Sequence, residues 1–559
     1  MIRRCEFDRA MALVHRSGVH TRLEAILRPD GGGGRPRRLG VDVFLAGLIC
    51  TVGAKKTLAL TNVHELLTKD LARSYQTALG IREGFQVLTI RQVRYLLEAI
   101  ENKLAFTEDR APALSAIDRA ERAEALQNIY DRLLAATMAE HLPATGAYAL
   151  DDSGIDSAAR GKRRRPATNA TTGPADAEAA DGEVSDTDIA EVAEETGTSF
   201  DPDARWGYRT RTYDNRTNKL FGYKLVSLTR LAPVGSKTDL PMLVERIAFI
   251  PANASPVGPA LDAIDRLRAE GSAVTEIADD RGFSYALAEN WAYKLRDRGI
   301  EQVLDLHPND RGVRDFDGVK MIDGFPHCPA TPEHLEVIVR PAQLSVPALK
   351  ANATAVERAE HAEKQKALDE FQALIAERET WAFRRVEGPD RSGKERYECP
   401  AQAGKRRCEH CPISQFLPAG TPTVENPPAV ETAPAACSQR TITVPGDVTP
   451  KIRQRLYWGG PKWIAAYNRR SRVEAGFGNI KSSKNEDVRR GWIHVVGLVK
   501  TGLMVVVAQA AANLRCLRTW AERTGDRTDR LTWADPEDHG FEEIDPASAN
   551  PATGPPRAA

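Results

Sequence analysis

Net charge is missing from this chain. Across 559 residues, 77 Lys and Arg offset 77 Asp and Glu, so no global excess announces a polyanionic partner and any basic surface must be local. Cysteine is scarce. Eight in a chain of this length exclude a disulfide scaffold, and the clustering of half of them in one stretch points to a reduced, metal-binding or structural role. Long apolar runs are also absent. The nearest, over 495–514, is broken by Lys500, Gln509 and Asn513, which predicts a buried helix rather than a membrane span. The start, Met1-Ile2-Arg3-Arg4-Cys5-Glu6, lacks the apolar stretch of a signal peptide. No internal repeat is found. What is present, 42% hydrophobic and 28% charged residues, is ample for a core, so a multidomain cytoplasmic protein is expected.

Residues 1–140 read as helices with short breaks. An apolar segment over 41–50 follows the run Gly31-Gly32-Gly33-Gly34, and Thr89-Ile90-Arg91-Gln92 has the form of a capping box. Val93, Leu97, Ile100 and Leu104 then recur at helical spacing, with Arg91, Arg94 and Lys103 facing elsewhere. Such a helix can read DNA or simply be a solvated face. Over 141–308 the pattern predicts strands at 221–228, 243–250, 274–278 and 302–306 and helices at 259–270 and 285–297, a mixed α/β arrangement. A basic block ending Arg163-Arg164-Arg165 and an Ala-, Asp- and Glu-rich stretch predict a disordered loop over 160–200. Residues 309–455 read as an insertion, with a charged helix over 355–378, a cysteine cluster and a Pro-rich linker over 417–434. Helical periodicity returns over 456–523, and 524–559 reads as a flexible tail.

Asp151 and Asp280 each follow a short apolar run. If those strands are neighbours, the two carboxylates meet at one sheet edge, where carboxylate oxygens suit Mg²⁺ or Mn²⁺ and phosphoryl transfer. On their own, such aspartates more often just end strands in turns. The segment Tyr467 to Lys481 alters that balance. Tyr467, Arg470, Glu474 and Lys481 are spaced three, four and seven apart, placing one acid among cations on one helix face, with Lys484, Arg489 and Arg490 beyond. Such a face presents Glu474 to a metal while Arg470 and Lys481 hold phosphates.

With its spacing intact, Tyr467-x2-Arg470-x3-Glu474-x6-Lys481 resembles the YREK signature of DDE transposases from bacterial insertion sequences. Leu150-Asp151-Asp152-Ser153-Gly154-Ile155 resembles the segment carrying that family's first catalytic Asp, and Asp280-Arg281-Gly282-Phe283 the second. Phe221-Gly222-Tyr223-Lys224 looks like its second-strand motif, and Asp201 to Gly207 like the segment before it. The resemblance implies a ribonuclease-H-like core of mixed sheet flanked by helices, an N-terminal helical DNA-binding domain over 1–140, and a large insertion before the last catalytic helix. It implies Asp151, Asp280 and Glu474 as a triad for Mg²⁺ or Mn²⁺, and Tyr467, Arg470 and Lys481 as phosphate-holding residues. The implied partners are element inverted repeats and target DNA, with a dimer on DNA ends, no membrane, and a place at the nucleoid. Two rivals are a nuclease of the same fold that cuts without joining and a DNA-binding derivative without chemistry; the intact acids count against the second.

Cys399-x8-Cys408-x2-Cys411 with Cys437 downstream is a candidate structural zinc site, and ordinary thiols are an equal reading. Cys328, in Pro326-His327-Cys328-Pro329, is a further ligand or a core residue. Tyr457, Trp458 and Trp463 could stack on an unpaired base, although core packing is the commoner use of such residues.

Overall fold

Ala147, Tyr148, Ala149 and Leu150 are all buried, so both faces of strand β1 (Ala147–Asp156) are covered where it begins, as a central strand requires. The computed structural model describes residues 4–28, 37–138, 142–161, 163–164, 195–196, 199–208, 219–236, 240–279, 281–489 and 491–525. The glycine run, Asp280, Arg490, most of the acidic stretch expected as a loop, and nearly all of the expected tail lie outside these residues.

Strand β2 (Arg205–Tyr208) precedes β3 (Lys219–Arg230), which lies antiparallel to β1. The far edge of β3 pairs antiparallel with both β2 and β4 (Val244–Pro251). On the other side of β1, β5 (Glu276–Asp279) is parallel to it, and β6 (Glu301–Leu304) is parallel to β5. The six-stranded mixed sheet thus runs β6-β5-β1-β3, with β4 and β2 sharing the edge of β3. Gly222 permits the closest approach. A Cβ there would stand 2.2 Å from the Ile155 carbonyl oxygen and 2.7 Å from the Ser157 nitrogen, both fixed backbone atoms.

Alternation along the strands separates two apolar layers. Tyr148, Leu150, Val226 and Leu228 meet Ala260, Ile264 and Leu267 from α5 (Val257–Ala269). Ala149, Tyr223, Leu225 and Phe249 belong to the larger core on the opposite face. That core takes in α1 (Arg4–Ser17), α2 (Val41–Gly53), α3 (Ile90–Leu104), α4 (Ala116–Ala135) and the last two helices of the chain. The N-terminal helices and the sheet therefore share one hydrophobic interior. The capping box at Thr89 and Gln92 is present, and Val93, Leu97, Ile100 and Leu104 are buried while Arg91 and Arg94 are exposed.

Two expected helices are shorter. The one expected over 285–297 is confined to Ala292–Asp297, because Trp291 leaves helical backbone at φ −130°, ψ −71°. Its indole N–H donates to buried Asp279 at 2.8 Å while its ring packs on Phe283, which fixes it at that angle. The helical stretch after 460 is divided. Helix α7 (Pro461–Tyr467) passes through a 3-10 turn at Asn468–Arg470 into α8 (Ser471–Lys481), and α9 (Leu498–Thr524) follows. Gly491 and Gly497, both at positive φ, punctuate the segment between. Helix α9 contains the apolar run and is largely buried. Among the described residues, no helix is long and apolar enough to cross a membrane.

The 309–455 stretch contains two three-stranded antiparallel sheets. One is β7 (Val313–Phe316), β8 (Val319–Ile322) and β9 (Phe325–His327); the other is β10 (Arg384–Glu387), β11 (Glu395–Glu398) and β12 (Thr441–Val444). Helix α6 (Ala355–Trp381) joins them and buries only Leu368, Phe371, Ile375, Arg378 and Trp381, a single stripe at helical spacing. Buried Arg378 donates to Asp323 Oδ2 at 2.8 Å and to the Tyr457 hydroxyl at 3.0 Å. His327 Nε2 lies 2.8 Å from that hydroxyl and its Nδ1 2.9 Å from the Phe325 carbonyl oxygen. Because Arg378 can only donate, the hydroxyl proton goes to Nε2, leaving Nδ1–H to bond the carbonyl. Trp458 and Trp463 are fully buried, so core packing accounts for both.

Candidate active site

The middle of β1 passes from apolar to acidic, and the pleat sends Asp151 and Asp152 to opposite faces of the sheet. Asp151 points toward α8, where Arg470 Nη1 lies 3.5 Å from its Oδ2. Its other oxygen accepts the Asp152 backbone N–H at 2.7 Å. Arg470 also donates from Nη2 to Glu474 Oε1 at 2.6 Å, four residues along the helix. One guanidinium, 12% exposed, thus joins a carboxylate of the sheet, 14% exposed, to a helix carboxylate that is 53% exposed. The guanidinium carbon sits 5.3 Å above the Tyr467 ring, and Tyr467 stacks on Trp463 at 4.9 Å with the planes 8° apart. Packing on one side and two acids on the other therefore hold Arg470 in place.

Lys481 closes the far end of α8. Its Nζ donates to Ser153 Oγ at 2.6 Å and to the Gly154 carbonyl at 2.7 Å, pinning the helix to β1 two residues beyond Asp151. The structure therefore brings together Asp151, Glu474, Tyr467 and Arg470, with Lys481 alongside. Asp280 lies outside the described residues; β5 ends at Asp279, whose register partner on β1 is Leu150. Asp279 is committed to the Trp291 indole.

Several cations of this segment have partners from distant elements. Arg469 pairs with Glu276 and donates to the Ala232 carbonyl at 2.8 Å, and Arg472 donates to the Leu240 carbonyl at 3.1 Å. The excess of positive charge counted along the chain is thus partly balanced inside the protein, while Lys484 remains exposed.

Other features have no local sequence signal. A cleft of 760 Å³ opens beside β1, lined by Asp151, Asp152, Trp206, Tyr208, Lys224 and Lys294 among others. Lys224 Nζ stands 3.5 Å from Asp152 Oδ2, so the second aspartate has its own cation on its own face. Asp201 and Asp203, in the segment before β2, accept the backbone N–H groups of Gly497 and Leu498 at 3.1 and 2.9 Å. They satisfy the first turn of α9, favourable for acids at a helix N-terminus, and Asp201 also accepts from the Tyr223 hydroxyl at 2.7 Å. Partners nearly 300 residues apart leave no periodicity to read.

Cys328, Cys399, Cys408, Cys411 and Cys437 line one small cavity in the insertion. Among the described residues, no group of three or more His, Cys, Asp or Glu side chains stands in ready metal-holding geometry. The acid site and the thiol cavity are accordingly characterised by donor chemistry and placement. The chain matches no family model, and no curated protein or solved structure resembles it to a significant degree.

Proposed function

We propose that this protein is a DNA transposase that cuts the ends of an insertion element and joins them to target DNA by phosphoryl transfer. One observation carries the reading: Asp151 in the sheet and Glu474 on α8, far apart in sequence, converge on one cation, and Asp151 also lines the 760 Å³ cleft beside β1. Strand order supports a ribonuclease-H-like core, with β1, β3 and β4 antiparallel, β2 added beside β4 on the edge of β3, and β5 and β6 parallel on the other side of β1. The acids fit Mg²⁺ or Mn²⁺ because carboxylate oxygens suit hard cations and these two already gather around positive charge. Asp151 and Glu474 would hold the metal with Asp280, the third acid of the resemblance. Bound there, it supplies Lewis acidity toward phosphate oxygens. Tyr467 and its stacked Trp463 set the height of Arg470, which would turn from the acids to a phosphate when DNA arrives. Lys481, held against β1, would add its charge beside the same backbone. The exposed Arg91 and Arg94 on α3 are proposed to recognise the element ends, with two chains assembling on a pair of ends.

The test uses the full chain and labelled DNA carrying the inverted repeats that flank its gene. Glu474→Gln keeps the size of the side chain and removes its charge. Mg²⁺-dependent cleavage and joining are expected to fall at least a hundredfold (on the order of 3 kcal/mol of transition-state stabilisation) while binding in Ca²⁺ persists. Cleavage at the normal rate would remove Glu474 from the site. Wild-type protein that cuts but never joins would assign the nuclease reading instead.

A further inference from the structure

Thiols from three separated parts of the insertion converge on one cavity, and they do not arrive alike. Cys328 follows β9, Cys399 follows β11, and Cys408 and Cys411 lie in the loop beyond. Cys328, Cys399 and Cys408 each open a tight turn. Their carbonyls accept the N–H groups of Thr331, Ala403 and Cys411 at 2.9, 2.9 and 3.0 Å. Folding back in this way brings the following backbone toward the sulfur, as at Cys399. Gln402 N–H donates to Cys399 Sγ at 3.4 Å, and the Cys411 carbonyl likewise heads a turn, accepting the Ser414 N–H at 2.9 Å. Cys437, by contrast, sits inside a short helix, Ala435–Ser438, and heads no such turn.

We propose that Cys328, Cys399, Cys408 and Cys411 bind one structural Zn²⁺, with Cys437 a bystander. Zinc favours four thiolates around it, and Cys408-x2-Cys411 supplies two of them from one turn. The cavity is small, about 30 Å³, and has room for a single ion. A tetrathiolate zinc carries two negative charges, and cations already stand beside it. Arg406 lies 3.7 Å over the Trp381 ring within electrostatic reach of Cys328. Lys405 is anchored nearby on the carbonyls of Glu379 and Ala382, both at 2.9 Å. The sulfurs line the cavity without standing at ligand distance, and the cation would complete their approach, as metal binding commonly finishes its own site. Its effect would be to fasten the end of β9, the end of β11 and the 408–411 loop together, linking the two small sheets. This inference is independent of the transposase reading.

The experiment is metal analysis of the full chain purified under reducing conditions, with Co²⁺ exchanged for zinc as a spectroscopic probe. One zinc per chain is expected, and the Co²⁺ form should show the intense sulfur-to-metal charge transfer of a tetrahedral thiolate site. Cys328→Ser should weaken zinc retention against a chelator at least tenfold, whereas Cys437→Ser should retain it fully. Should Cys328→Ser fail to fold, thiol counting on the wild type decides: stripping zinc should expose four more reactive thiols. Zinc well below one per chain, iron in its place, or loss of zinc from Cys437→Ser but not Cys328→Ser would overturn the proposal.

Discussion

Arg470 reaches from the start of α8 to within 3.5 Å of Asp151 in the middle of β1, and the same guanidinium holds Glu474 at 2.6 Å. Removing that cation leaves two acids facing each other, one of them largely buried. Arg470→Gln is expected to lower stability by roughly 1–2 kcal/mol, discounted because Glu474 is half exposed. Millimolar Mg²⁺ should restore more stability to this variant than it adds to the wild type, since only the variant lacks a resident cation. Thermal unfolding with and without Mg²⁺ measures both. Equal Mg²⁺ effects in the two proteins would mean that the acids do not share a cation site.

Lys481 has two duties to separate. Its bonds to Ser153 and Gly154 tie α8 to β1, and the proposed function also gives it a phosphate. Lys481→Ala should cost about 1–2 kcal/mol of stability and reduce the salt dependence of end binding by about one unit of charge. Denaturant melts and binding across a salt series read the two effects independently. An unchanged salt slope with reduced stability would leave only the structural tie.

His327 predicts an acid-sensitive insertion. Burial, reinforced by the Arg378 charge, holds its imidazole well below the usual histidine range, so it is neutral in the fold and takes up a proton more readily once unfolded. A depressed folded value contributes stability that is complete above the unfolded value of about 6.5 and is lost as pH falls from there. The loss should approach about 1.4 kcal/mol per pH unit and be absent from His327→Gln. Parallel melts of the two proteins between neutral and mildly acidic pH check this; identical slopes would contradict it.

For the N-terminal region, the shared interior with the sheet makes truncation a poor probe, because it would strip apolar partners from α9. Charge reversal on the exposed face is cleaner. Arg91→Glu with Arg94→Glu should leave the melting temperature within a degree or so, as surface substitutions usually do, and weaken end-specific binding at least tenfold. Gel shifts with specific and scrambled ends distinguish the cases, and unchanged specificity would place recognition elsewhere.

Strands and helices whose residues face a single core were legible because burial imposes a period. The 221–228 and 274–278 runs, the capping box at Thr89, and Val93, Leu97, Ile100 and Leu104 all read through. The convergence of Asp151 with the Arg470 and Glu474 pair was legible only through motif spacing. Features set by distant partners were not. Trp291 ends a helix because Asp279 holds its indole, and Asp201 and Asp203 serve a helix almost 300 residues onward. Counting charges along the chain also misjudged the basic segment, since Glu276, which neutralises Arg469, comes from another strand.

The neighbouring aspartates of β1 illustrate how little latitude such a site allows. Asp151 and Asp152 are consecutive residues, yet one meets Arg470 on the helix side and the other Lys224 on the α5 side. Inserting a single residue between Leu150 and Asp151 would exchange the faces the two acids occupy, turning each away from its present cation. The same shift would turn buried Ile155 out of the core, which ties the spacing of β1 to the fold and to the proposed active site alike.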